Sequence, residues 1–165
     1  MKKLKKLNTT LLIITQGNKV LLAEKKRGFA QGKFNGIGGK QDAGETIEQT
    51  MIRETQEEIC ITPVEYEQVG YINFDVWYKG EHTDLKLHIY TCSKYEGEIQ
   101  ETEEMRPVWF EKDKLPFEKM IEDDLLWLPM VLEGKKVTGF VKFDKNLHME
   151  YNTIHAVDEL SKFIM

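Results

Sequence analysis

Apolar and polar positions divide the chain into short stretches of distinct period. Residues 9 to 15 (TTLLIIT) and 18 to 23 (NKVLLA) are apolar and rich in β-formers, and the QGN between them is turn chemistry, so they predict a buried hairpin. The next segment, EKKRGFAQGKFNGIGGK, holds five glycines and five lysines or arginines in seventeen residues, which predicts a loop or a short interrupted strand. From Gly44 the period becomes helical: Ile47, Met51, Thr55 and Ile59 recur every four residues, and the pattern stops at Thr62-Pro63. VEYEQVGYINFDVWY and DLKLHIYTCS predict two long strands joined through KGEHT, and RPVWFEK predicts a third after an acidic ETEEM segment. IEDDLLWLPMVLEG predicts a second helix with Asp123 and Asp124 in its first turn, where acidic groups suit the helix dipole. KVTGFVKFD and NLHMEYNTI predict a last hairpin, with HAVDELSKFIM as a polar tail. Strands mixed with two helices imply a layered α/β domain around a mixed sheet.

Composition narrows the class. At 165 residues and 41% hydrophobic content the chain is expected to form one domain, residues 1–165, with one sizeable core. A net charge of −5 supplies no general attraction to a nucleic acid polymer or an anionic membrane. Cys60 and Cys92 sit in no metal-binding cluster, and two thiols in an acidic chain fit a reducing compartment, so the cytoplasm is expected. The opening MKKLKKLNTTLLIIT imitates a signal peptide, but its apolar run ends at Ile14 with no small-residue cleavage site. No stretch has the length to span a bilayer.

The first helix carries the chemistry. Asp42, Glu45, Glu48, Glu54, Glu57 and Glu58 crowd around one arginine, Arg53. On a helix, residues three and four apart are neighbours, so Glu54 meets Glu57 and Glu58, and like charges at that spacing are unfavourable unless something positive lies between them. Arg53 offsets part of this. Hard divalent cations take oxygen ligands and commonly keep waters and substrate phosphates, so such a trio is a natural half-site for a metal nucleotide complex. Gly36, Gly38 and Gly39 precede the helix and allow close backbone approach to a ligand. Taken alone, glycines are a weak signal, and a solvated helix face is the competing reading of the glutamates.

Spacing decides between them. Gly39, five residues, Glu45, seven residues, Arg53-Glu54, two residues and Glu57-Glu58 stand in one register. This resembles the box of the Nudix hydrolases, G-x5-E-x7-R-E-U-x-E-E-x-G-U, with U a bulky apolar residue. Thr55 departs from it mildly, and Cys60 stands where the box has a glycine that ends the helix in a left-handed residue. Outside the box, residues 25–40, GETIE, EEMRPVWF and FEKMIEDDLLWLP are similar to the branch of the superfamily that hydrolyses oxidised purine nucleoside triphosphates.

The resemblance implies a Nudix α/β/α sandwich with a central mixed sheet, and a monomer acting on a small nucleotide. It implies Mg²⁺, with Mn²⁺ as an alternative, held by Glu54, Glu57, Glu58, Glu104 and the Gly39 carbonyl. Glu54, Glu57 and Arg53 are the implied catalytic set: Glu54 is the first choice of general base, with Glu104 second, while Glu45 and Arg53 pair to orient the helix. Thr10, Lys25, Phe29, Asn35, Asp123, Asp124 and Trp127 are the implied substrate-binding residues, with Met105 as a further apolar wall. Adjacent carboxylates read an altered purine edge if one stays protonated. Lys25, Lys26 and Arg27 form a basic loop that could meet the triphosphate. Ile121 stands where that branch has a stacking tryptophan, which predicts broader base selection. His82, His88, His148 and His155 show no ligand spacing and are expected as surface or strand residues. A dinucleoside polyphosphate or nucleotide sugar as substrate, and a binding module without turnover, are the rival readings.

Overall fold

The computed structural model describes residues 4–164. Nine strands and two α-helices follow the order β1 (Lys5–Gln16), β2 (Lys19–Lys25), β3 (Phe34–Asn35), α1 (Ile47–Ile59), β4 (Thr62–Tyr78), β5 (Glu81–Glu96), β6 (Met105–Glu111), α2 (Asp124–Leu132), β7 (Lys136–Phe143), β8 (Met149–Asn152) and β9 (His155–Val157). One mixed sheet runs β3-β2-β1-β5-β4-β7-β8, with β6 added to β2 and β9 to β7. The β1–β5 and β4–β7 pairs are parallel; the others are antiparallel. Of the N-terminal lysines, Lys2 and Lys3 lie outside the described residues.

β1 reads as an unbroken apolar run because both its faces are covered. Leu11 and Ile13 join the core that packs against Trp127, Leu128 and Val131 of α2. Leu12 and Ile14 point the other way, into the core under Met51 and Ile59 of α1. One helix per face makes the α/β/α sandwich. α1 starts later than the period suggested: Thr46 caps it, accepting from Gln49 N while the Gln49 side chain accepts from Thr46 N. It ends on Cys60 at φ 67°, a left-handed residue where glycine is favoured.

The expected N-terminal hairpin is only partly a hairpin. β1 and β2 pair over three positions, Ile14↔Leu21 to Gln16↔Lys19, and then splay. Beyond that point the glycine segment lies along β1: Leu12 and Ile37 exchange both backbone hydrogen bonds, at 2.6 and 3.0 Å, and Thr10 N donates to Gly39 O at 2.9 Å. A Cβ at Gly38 would overlap the Thr10 carbonyl, so only glycine allows this approach. A long-range insertion of this kind leaves no local periodicity to read. The predicted polar tail is also corrected, since His155–Val157 adds a strand to β7.

Candidate active site

Splaying of β1 from β2 opens a cavity of about 160 Å³, comparable to cavities of about 150 Å³ that admit one aromatic ring. Thr10, Lys25, Phe29, Asn35, Gly39, Asp123 and Asp124 of the expected residues line it, together with Met105 and Ile121. Trp127 does not: it is fully buried, and its indole N–H donates to Asp123 Oδ2 at 2.8 Å. Its place is in the core behind the cavity rather than as a wall.

Arg53 organises one side of the site. Its Nε and Nη2 donate to the two Glu45 oxygens at 2.6 and 3.0 Å, Nη1 donates to Glu54 at 2.8 Å and Glu57 at 3.2 Å, and Nη2 also reaches the Lys40 carbonyl at 3.0 Å. Asp42 lies 3.4 Å away. Hydrogen bonds from Arg53, then from the Asp42 backbone, hold the Glu45 carboxyl down at about 2. One guanidinium therefore engages four of the crowded carboxylates. Glu48 is taken separately, by the Tyr66 hydroxyl.

Glu58 is outside that arrangement. It is 8% exposed, and its Oε2 has no hydrogen-bond partner. Burial pushes its carboxyl well above the usual range, and neighbouring Glu54 pushes it further, while Lys25 opposes both. Lys25 is itself lowered by burial. The three glutamates of the expected metal set differ in exposure: Glu58 is buried beside Glu54, Glu57 is exposed and shares Arg53 Nη1 with Glu54, and Glu54 lies against Gly39, where a Cβ would strike its carboxylate. Glu104 pairs with Arg27, which lowers its carboxyl. Among the described residues no three His, Cys, Asp or Glu side chains stand ready around a cation. Two arginines account for this, because they occupy the carboxylates a cation would draw in. The oxygen donors nonetheless suit a hard cation, and Glu58 offers a buried oxygen that no protein group satisfies.

On the other side, Asp123 and Asp124 are buried and adjacent. Burial raises both carboxyls, and Asp123 adds to the rise at Asp124. Helix capping does not explain them: Asp123 has helical backbone angles and makes no cap bond from its side chain. Asp124 Oδ2 and Thr10 Oγ1 have no partners. Asn35 Oδ1 accepts from Gly36 N at 2.9 Å, which leaves its amide N–H₂ available to the cavity. In the basic loop, Lys26 pairs with Glu101 and Arg27 with Glu104, so Lys25 alone of the three lines the cavity.

Sequence reasoning missed Lys33, Phe74, Tyr78, Phe143 and Leu147, which also line it. The period-two run FDVWY held a signal for Phe74 and Tyr78, which share a face; Leu147, in the turn between β7 and β8, carried none.

A mixed sheet between two helices, with a glutamate-rich helix against a glycine segment, defines a Nudix-type hydrolase fold. The NUDIX domain profile matches residues 5–130, and the chain belongs to that family. It is 42% identical over 151 residues to the oxidized purine nucleoside triphosphate hydrolase of Danio rerio, covering 92% of this chain and 96% of that one. The mouse protein of the same description is 40% identical over 144 residues, covering 87% and 91%. The MutT protein of Bacillus halodurans superposes with a TM-score of 0.79 at 25% identity, over 90% of this chain and 97% of that one. Among the described residues no helix is long and apolar enough to cross a membrane.

Proposed function

We propose that this protein hydrolyses purine nucleoside triphosphates, oxidised ones among them, to the monophosphate and pyrophosphate, using Mg²⁺, with Mn²⁺ as an alternative. One observation carries the reading. Among the described residues three buried side-chain oxygens lack partners, Thr10 Oγ1, Glu58 Oε2 and Asp124 Oδ2; Thr10 and Asp124 line the cavity, and Glu58 neighbours Lys25, which lines it too. Buried polar groups are nearly always paired, so two orphans on one cavity wall, with a third beside its lysine, mark a place for a polar ligand. Names of the fish and mouse relatives supply its chemical class.

Glu58, Glu54, Glu104 and the Gly39 carbonyl would hold the cation, with Glu57 joining once released from Arg53. Bound there, the cation offsets charge on phosphate oxygens and acidifies a water. Arg53 fixes the helix and keeps Glu45 ionised. Glu54, against Gly39 and less exposed than Glu57, is the preferred proton acceptor, with Glu104 second. Lys25 meets the phosphate chain. Asn35 and Asp124 read the base edge, a protonated Asp124 donating to a purine acceptor, and Trp127 acts only by holding Asp123. Phe29, Met105 and Ile121 cover the ring. The same reading takes the chain as a single domain working as a monomer in the cytoplasm; one sheet carries both cores, and both cysteines are free.

A panel of triphosphates, dinucleoside polyphosphates and nucleotide sugars with Mg²⁺, scored for pyrophosphate against phosphate release, tests it beside Glu57→Gln. Pyrophosphate from purine triphosphates, much reduced in the variant, is expected. No turnover on any nucleotide would leave a binding module, and turnover unaffected by the substitution would remove Glu57 from the site.

A further inference from the structure

The cavity has two aromatic pairs at different depths. Phe74 and Phe143 stack at 5.7 Å between centroids, both buried, and form its inner end. Phe29 and Tyr78 pack at 5.0 Å with their planes tilted by 56°, both half-buried, and form its outer end. Phe29 comes from the glycine segment. Tyr78 is the last residue of β4, before a two-residue turn whose Lys79 and Gly80 both have positive φ. This tight turn at the end of a long hairpin fixes where the ring stands. Lys79 Nζ lies 5.4 Å from the Tyr78 ring centroid. Among the described residues the Tyr78 hydroxyl has no hydrogen-bond partner, although the ring is half-buried on a cavity wall.

We infer that Tyr78 is a specificity-determining residue at the cavity mouth: with Phe29 it supplies the aromatic wall for the nucleoside, and its hydroxyl hydrogen-bonds the ligand's polar edge. Ile121 and Leu147, which also line the cavity, contribute aliphatic surface. A flat ring system gains a ring-on-ring preference only from the aromatic side, so the outer pair favours the larger ring face of a purine over a pyrimidine. A half-buried hydroxyl without a protein partner is satisfied by water in the free protein and by ligand in the complex. The inference rests on the nucleotide reading proposed above.

Calorimetric titration with GMP and with CMP, both with Mg²⁺, tests it on wild type, Tyr78→Phe and Tyr78→Leu, with thermal melting in parallel. Wild type is expected to bind GMP more tightly than CMP. Tyr78→Phe should lose about threefold in GMP affinity, the size of one neutral hydrogen bond. Tyr78→Leu should lose about tenfold and narrow the GMP to CMP ratio. A ratio unchanged in Tyr78→Leu overturns the inference while leaving the nucleotide site intact. Should Tyr78→Leu melt well below wild type, Tyr78→Phe and Tyr78→Trp decide: a tryptophan variant that keeps the ratio supports the aromatic wall, and one that abolishes it with an unchanged melting temperature overturns it. Wild type binding neither nucleotide would overturn the functional reading and this inference with it.

Discussion

His88 makes stability depend on pH in a direction that can be worked out beforehand. It lies on β5, is 4% exposed, and packs on Tyr71 with ring centroids 4.9 Å apart. Gln68 Nε2 lies 3.0 Å from its Nδ1 and Asn8 Oδ1 lies 3.4 Å from its Nε2. An amide N–H₂ only donates and an amide oxygen only accepts, so the ring is neutral with its proton on Nε2. Burial, and secondarily Lys86, lower its pKa from 6.5 to about 4. The unfolded chain therefore binds this proton more readily than the folded one. Stability from this source is complete above pH 6.5, falls as pH drops, and is fully lost below about pH 4. At 1.36 kcal/mol per unit the whole effect is about 3 kcal/mol, of which about 2 kcal/mol is lost by pH 5. Urea unfolding at pH 7.5 and pH 5.0, for wild type and His88→Gln, isolates it, because other titrating groups cancel in the difference. Wild type should lose about 2 kcal/mol more than the variant between the two pH values, even though the variant starts lower. Equal losses would refute the reasoning, and would mean that His88 accepts a proton in the folded state without cost.

Three further outcomes are expected. Glu58→Gln should fold at least as stably as wild type, since the amide copies the protonated carboxyl that burial favours, yet weaken Mn²⁺ binding by at least about tenfold in a paramagnetic resonance titration; unchanged Mn²⁺ affinity would remove Glu58 from the cation site. Ile121→Trp should raise the kcat/KM preference for 8-oxo-dGTP over dGTP about fivefold by adding a second aromatic face, and a preference that is already strong and unmoved would show that Ile121 does not set selection. Cys60→Gly should stabilise the protein by about 1 kcal/mol, as a left-handed backbone at φ 67° is unfavourable for a side chain and free for glycine, with part of the gain offset by glycine's unfolded-state entropy; a loss of stability in chemical denaturation would contradict it.

Legibility in the sequence followed the range of the interaction. Both helices and the long β4–β5 hairpin were readable because their periods are local, and the Nudix spacing was readable because its carboxylates share one helix and the loop before it. Boundaries moved where a cap decides them: Thr46 sets the start of α1, not Gly44. What stayed hidden depends on distant chain segments. The glycine segment replaces β2 as the neighbour of β1 beyond Ile14, and no periodicity encodes that exchange. Asp123 and Asp124 look like dipole-complementing residues until the fold buries them and supplies Trp127. His88, expected as an ordinary strand residue, is one, but the amide pair that keeps it neutral comes from β1 and β4. Glu57 and Glu58 are both expected to meet Glu54, and their successive helical positions, about 100° apart, leave Glu57 exposed and Glu58 buried.

The crowded carboxylates of α1 therefore divide into two kinds, and the division bears on function. Glu45, Glu54 and Glu57, with Asp42 before them, all lie within ion-pair reach of Arg53, whose one positive charge offsets part of theirs. Had the glutamates formed only a solvated face, Glu58 would also be exposed, and no oxygen would be left without a partner. Instead one carboxyl is buried beside Glu54, near Lys25, with an unsatisfied oxygen. Leaving such a group unpaired costs on the order of 1–3 kcal/mol. A substitution to an apolar residue would remove that cost, so packing gives no reason for a glutamate here. A cation would give one: on the proposed reading Glu58, Glu54 and Glu104 would hold it, and it would favour the ionised form of the Glu58 carboxyl that burial opposes.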